Sequence, residues 1–168
     1  MAQQEPQIGV EYNQHTDFEE VERVIMQISW LGQRQFMQLL DEERFHLTLP
    51  QFYTLLHLHQ IADACKMSDL ADATHQSAAS LTGVVDRLLE KQLVERTRHP
   101  RDRRQVMVVV TPRGNTLIAE IKRARHEQMH SAFMHLHPDD IDTLLRLLDQ
   151  VLIGMMRVLE RADSGRWA

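Results

Sequence analysis

Cysteine is nearly absent: the 168-residue chain has one, Cys65. A lone thiol cannot staple a fold, so a disulfide-rich secreted module is excluded and a reducing cytoplasm is the expected setting. Aromatics are scarce at 5%, while Leu, Met, Val and Ala are plentiful, a balance that favours helices over a sandwich or barrel. Six Gly and five Pro are too few for a low-complexity linker. No run approaches the ~18–20 uninterrupted apolar residues of a membrane span. The first seven residues carry only Glu5 as a charge and lack the basic and apolar regions of a secretory signal. What is present, 43% apolar and 26% charged residues, is ordinary globular usage on a length that suits one domain or one domain with extensions.

The formal charge of −5 argues at first against a polyanionic partner, but its distribution reverses that reading. Arg96 to Arg104 holds five arginines and one aspartate, whereas Met1 to Glu22 holds six acids and no Lys or Arg. A concentrated basic element on an acidic body can grip a phosphate backbone while the body discourages indiscriminate binding.

Periodicity predicts the elements. Residues 1–15 read as a mobile polar arm. A long helix starts at Thr16 or Asp17, carries Phe18, Val21, Ile25 and Ile28 at 3-4-3 spacing on an apolar face that Leu31, Met37 and Leu40 prolong, and ends near Leu40 or Asp41. Thr48-x-x-Gln51 is a capping box with Pro50 in the first turn, opening a helix to about Gln60. Ser68 caps a short helix to Ala73, Thr74 to Gln76 turns, and a helix over Ser77 to Lys91 buries Leu81, Val84, Val85, Leu88 and Leu89. Val94–Arg98 alternates and Val106–Val110 is β-branched, so two strands form a hairpin with the arginines near its tip. Thr111-Pro112 restarts helix to about His135, and Pro138 begins the last one. There Ile141, Leu144, Leu148, Val151, Met155 and Val158 hold a near-heptad seam.

The expected fold is therefore mainly α with a small β-wing, a winged helix-turn-helix plus a long-helix dimerisation region. Its expected parts are a first dimerisation helix and connection (16–47), the winged lobe (48–114), C-terminal dimerisation helices (115–162) and a tail (163–168). The long helices carry more apolar surface than one small module buries, and a symmetric dimer is the economical solution.

Within the helix-turn-helix, Ser77, Ser80 and Thr82 stand in the first turns of the second helix beside Ala78, Ala79 and Gly83. Short hydroxyls let a helix lie close in a major groove and bond phosphates or base edges. Taken alone, such residues are equally ordinary helix surface. The hairpin adds Arg98, Arg101, Arg103 and Arg104, whose guanidiniums suit a narrow minor groove, with Asp102 placed to fix the loop.

Leu70-Ala71, then Ser80-Leu81-Thr82-Gly83-Val84-Val85-Asp86-Arg87-Leu88, then Gln92-Leu93-Val94-Glu95-Arg96, resembles the MarR family of transcriptional regulators. Asp102-Arg103-Arg104 and Val110-Thr111-Pro112-Arg113-Gly114 look like that family's wing and post-wing signature. The resemblance implies a homodimeric DNA-binding regulator, often a repressor, released by a small ligand or by oxidation. It also implies that Asp102 and Arg104 form the wing's Asp-x-Arg, the Arg reaching the minor groove. The position after Thr82, often basic in such proteins, is Gly83 here, which shifts more of the grip to Arg87 and the wing.

Three further features bear on function. Cys65 has Lys66 beside it but reads as a passive packed thiol rather than a redox switch. His126 and His130 share a helix face at i,i+4, yet no complete ligand set accompanies them, so neither metal nor cofactor is expected. Trp30 and Arg34 also stand at i,i+4. With His46 they make a candidate site for a small aromatic acid, the alternative being that Trp30 is core and Arg34 a surface salt-bridge partner. No catalytic constellation is visible and no enzyme is expected. The competing reading is a winged-helix module that docks protein without binding DNA.

Overall fold

A computed structural model describes the backbone of residues 14–61, 63–98 and 105–164, and the side-chain surroundings of 18–61, 63–98 and 105–160. Most of the arm expected over 1–15, the hairpin tip 99–104 and the tail from 165 lie outside these residues. Two compact units divide the chain, Met1–Ile121 and Lys122–Ala168.

In the first unit, α1 (Gln14–Asp41) opens two to three residues before the expected cap. Its last turns bury Phe36, Leu39 and Leu40, while Phe18, Val21, Ile28, Trp30 and Leu31 farther up are exposed. α2 (Leu49–Ile61) follows. The Thr48 N–H donates to Gln51 Oε1 at 3.2 Å, one arm of the expected capping box.

The entry to α3 (Met67–Ala73) corrects the expectation that Ser68 caps it. Lys66, extended at φ −69°, ψ 147°, holds the N-cap position without a side-chain bond, and Ser68 Oγ donates to Asp69 Oδ1 at 2.9 Å. The cause is a strand that periodicity does not reveal. β1 (Cys65–Lys66) pairs antiparallel with the strand over 106–110, so the chain enters the helix straight from a ladder. Two residues are too few to show a period of two.

α4 (Ala78–Glu90) starts from Ser77, whose side chain accepts the Ser80 N–H as an N-cap should. It buries Leu81, Val85 and Leu88 completely, while Val84 and Leu89, expected inside, are half-buried. β2 (Val94–Arg98) and β3 (Val106–Val110) pair in register from Val94↔Val110 to Arg98↔Val106, giving the sheet order β1-β3-β2. The β-branched run is thus the central strand, where its stiff side chains pack best.

Thr111 immediately precedes α5 (Pro112–Phe133). The Thr111 hydroxyl donates to the Gln92 carbonyl at 2.8 Å and accepts the Gly114 N–H at 3.0 Å, so it caps the helix while tying it to the turn after α4. Leu55, Leu58, Leu70, Leu81, Val85, Leu88, Val108, Ile118 and Ile121 are wholly buried and form the core of this unit.

The second unit holds the rest of α5 and α6 (Pro138–Ser164), which opens with Asp139 and Asp140 where the helix dipole favours acids. Leu145, Leu148, Val151, Leu152, Met155, Met156, Val158 and Leu159 are all at least 41% exposed along α6.

Candidate nucleic-acid interface

The N-cap and first two turns of α4 present short side chains outward: Ser77, Ala78, Ala79, Ser80, Thr82 and Gly83 are exposed. Two of the three hydroxyls expected to contact DNA are partly committed at home. Ser77 Oγ accepts from Ser80 N at 3.2 Å and Thr82 Oγ1 donates to the Ala78 carbonyl at 2.8 Å. Ser77 keeps its hydrogen and Thr82 keeps its lone pairs for an outside partner, so one can donate and the other accept. Arg87 stands apart, about 15 Å of helix rise beyond Ser77. It lines a recess of about 290 Å³ with Asp41, His46, Glu90 and Lys91.

The hairpin is fastened to this helix by an ion pair that sequence alone does not assign. Arg96 Nη2 of β2 donates to Asp86 Oδ1 of α4 at 2.6 Å, both side chains remaining about half exposed. Between hairpin base, α3 and α4 lies a cavity of about 690 Å³ whose walls include Lys66, Thr82 and Arg96. Lys66 and Arg96 add cationic groups beside the short face of α4. Arg98 closes β2 and is exposed. Arg101, Asp102, Arg103 and Arg104 lie outside the described residues.

The effector candidates are placed in two locations. The Arg34 guanidinium stacks over the Trp30 ring, 5.3 Å from its centroid, and the indole is 59% exposed, so Trp30 is not a core residue of this chain. His46, at a left-handed φ of 45°, lines a separate recess of about 610 Å³ with Arg44, Lys91, Arg113 and Glu120. Its carbonyl accepts from Lys91 Nζ. Burial, and then the neighbouring Arg87, pull the Lys91 pKa down.

Cys65 is buried and free. Burial, followed by the Asp69 carboxylate, pushes its thiol pKa up, the direction opposite to activation. The His126 and His130 rings lie 6.3 Å apart. Among the described residues no group of three or more His, Cys, Asp or Glu side chains could hold a metal ion. Nor is any described helix long and apolar enough to cross a membrane.

Residues 47–106, from the entry of α2 to the start of β3, match the MarR family model. An HTH-type transcriptional regulator of Bacillus subtilis, YsmB, is 25% identical over 73% of this chain and 82% of its own length. The crystal structure of a mutant MarR from E. coli superposes with a TM-score of 0.65 at 26% identity, covering 78% of this chain and 95% of that one. A mutant of S. aureus MepR, bound to an oligodeoxyribonucleotide, gives a TM-score of 0.67 at 20% identity over 80% and 97%. Residues 47–106 thus form a MarR-type winged-helix region, and the relatives matched over most of the chain are HTH-type and MarR-family transcriptional regulators.

Proposed function

We propose that this chain is a homodimeric, cytoplasmic repressor that binds a pseudo-palindromic operator, α4 entering the major groove and the hairpin arginines the flanking minor groove. The observation that carries this reading is the Asp86–Arg96 bridge, which couples the arginine hairpin to the exposed short-chain face of α4. Ser77, Ser80 and Thr82 would meet base edges or phosphates there. Arg98, Arg101, Arg103 and Arg104 would supply the charge, with Asp102 among them in the sequence. Arg87, at the far end of α4, suits a backbone phosphate. The DNA-bound state of MepR supports the same use of this fold.

Selection of bound sites from random duplex DNA tests the reading. Two half-sites should emerge with centres about 10 base pairs apart. Affinity should fall steeply with salt, by about 0.9 logarithmic units per phosphate contact per decade. Arg104→Ala should cost about 1–3 kcal/mol of specific binding. Retained wild-type affinity in a gel-shift titration would remove Arg104 from the interface. No enriched sequence, with a flat salt response, would favour a protein-docking module instead.

The effector part of the proposal rests on the Trp30–Arg34 stack, an exposed aromatic plane with a guanidinium beside it that suits a small aromatic carboxylate. His46 would belong to it only in a rearranged or assembled state, since it lines another recess. Salicylate should quench Trp30 emission in a Trp167→Phe background and weaken DNA binding, both effects shrinking in Arg34→Ala. No change up to millimolar salicylate would discard the site.

A further inference from the structure

Immediately before the N-cap of α4 stands Gln76, a residue that sequence alone places simply in a turn. α3 ends in a Schellman motif. His75 takes the left-handed position at φ 51°, its N–H reaching the Asp72 carbonyl at 3.2 Å, and the Gln76 N–H returns to the Ala71 carbonyl at 2.9 Å. In that motif the residue after the left-handed one usually buries an apolar side chain against the preceding helix. Here it turns an amide inward. Gln76 Nε2 donates to Thr54 Oγ1 of α2 at 2.9 Å and to Thr74 Oγ1 at the end of α3 at 3.0 Å. Thr74 Oγ1 in turn donates to the Leu70 carbonyl at 2.7 Å. Thr54 is wholly buried. The remaining atom of the amide, Gln76 Oε1, is buried without a hydrogen-bond partner among the described residues.

That arrangement is a poor way to add stability. A buried amide with an unpaired oxygen costs more than an apolar side chain in the same place. Its distinctive property is direction. Apolar contacts among α2, α3 and α4 tolerate sliding and rotation, whereas hydrogen bonds at 2.9 and 3.0 Å fix the angle at which the chain leaves α3 and enters α4. One residue later Ser77 caps α4, so the amide sets where the exposed face of that helix points.

We infer that Gln76, held by Thr54 and Thr74, is a positioning residue for DNA recognition, orienting the N-terminal turns of α4 relative to α2. This rests on the reading of α4 as the helix that enters the groove. The geometry required for specific contacts is exacting, while non-specific phosphate binding is tolerant. Loss of the clamp is therefore felt in the ratio of the two.

The test is the double variant Gln76→Leu/Thr54→Val, which replaces both partners of the Gln76–Thr54 bond by apolar groups of similar size and also removes the bond to Thr74, whose hydroxyl keeps the Leu70 carbonyl as a partner, so the change should cost folding little. The melting temperature should stay within about 3 °C of wild type. Affinity for the selected operator should fall roughly three- to tenfold, with affinity for random duplex and its salt slope unchanged. Thr54→Ser, which keeps the hydroxyl, should bind the operator as wild type does. Operator affinity unchanged in the folded double variant would overturn the positioning role while leaving the DNA reading intact. So would an equal loss on operator and random duplex. If the double variant does not fold, Thr54→Val and Thr54→Ser alone decide: equal operator affinity in both, while both are folded, overturns the role. A wild-type protein that binds no duplex removes the DNA reading and the positioning role together.

Discussion

Two glycines of this chain have opposite reasons for being glycine. A Cβ on Gly114 would stand 2.3 Å from the Leu93 carbonyl oxygen and 2.8 Å from Val110 Cγ2, atoms of the hairpin base that cannot both yield. Gly114→Ala should destabilise the protein by about 2–3 kcal/mol, the cost of overpacking against backbone, read as a lower urea midpoint at constant slope. A Cβ on Gly83, midway along α4, meets nothing within 4 Å, so Gly83→Ala should gain about 0.5–1 kcal/mol through helix propensity. A destabilised Gly83→Ala, or a neutral Gly114→Ala, would contradict the packing described. Cys65 makes a third residue-scale case. Burial and Asp69 raise its pKa, so the folded thiol stays protonated where an unfolded one, near about pH 8.5, begins to ionise. Its contribution to stability is present below that pH and is lost as pH rises through the higher folded value. Alkylation by iodoacetamide at pH 8 should run at least about tenfold slower in the native protein than in urea. Equal rates would revive a reactive role for this cysteine.

Among the elements, the hairpin and α4 act as one piece through Asp86 and Arg96. The pair is half exposed, so its direct worth to folding is small, on the order of 1 kcal/mol or less. Its larger effect is on charge and aim. Asp86→Ala should leave the melting temperature nearly unchanged, raise non-specific DNA binding by removing a negative charge from the interface, and lower the specific-to-non-specific ratio. An unchanged ratio in competition gel shifts would show the bridge to be incidental. This pairing also marks where the sequence stops being legible. β2 and β3 are readable to the residue because alternation and a β-branched run report local geometry, and the start of α4 is readable to within one residue, Ser77 proving to be its cap rather than part of its first turn. β1, the cap of α3 at Lys66 and the bond from Asp86 to Arg96 depend on partners 10 to 43 positions away, and no periodicity reports those. Gln76 is hidden for the same reason: its partner Thr54 lies 22 residues upstream. The Trp30–Arg34 stack is visible as an i,i+4 pair, whereas the recess lined by His46 needs α4 and α5 brought to the same loop.

For the whole molecule, the question is what covers the apolar length of α1 and α6. Along α6 the exposed residues Ile141, Leu145, Leu148, Val151, Leu152, Met155, Met156, Val158 and Leu159 spread over about half the helix circumference at 100° per residue, wider than a two-helix seam requires. On α1, Phe18, Val21, Val24, Ile28 and Leu31 make another exposed apolar face. Apolar surface of this extent exceeds what a monomer ordinarily leaves in water and marks an interface. A second copy of the chain is the proposed occupant, because an operator with two equal half-sites demands two equal readers. Placing two carboxylates in the middle of the α6 arc, Leu148→Glu with Leu152→Glu, should shift the protein to a monomer in sedimentation velocity at micromolar concentration. The winged lobe buries its own core and should keep its fold by circular dichroism. Operator affinity should then fall by about 10²–10⁴-fold, since each lobe would bind its half-site without the effective concentration that linkage supplies. Binding to random duplex should fall far less, because that term depends on local phosphate contacts. A doubly substituted protein that still sediments as a dimer would place the interface elsewhere, and a monomer with undiminished operator affinity would show that one lobe suffices to read the site.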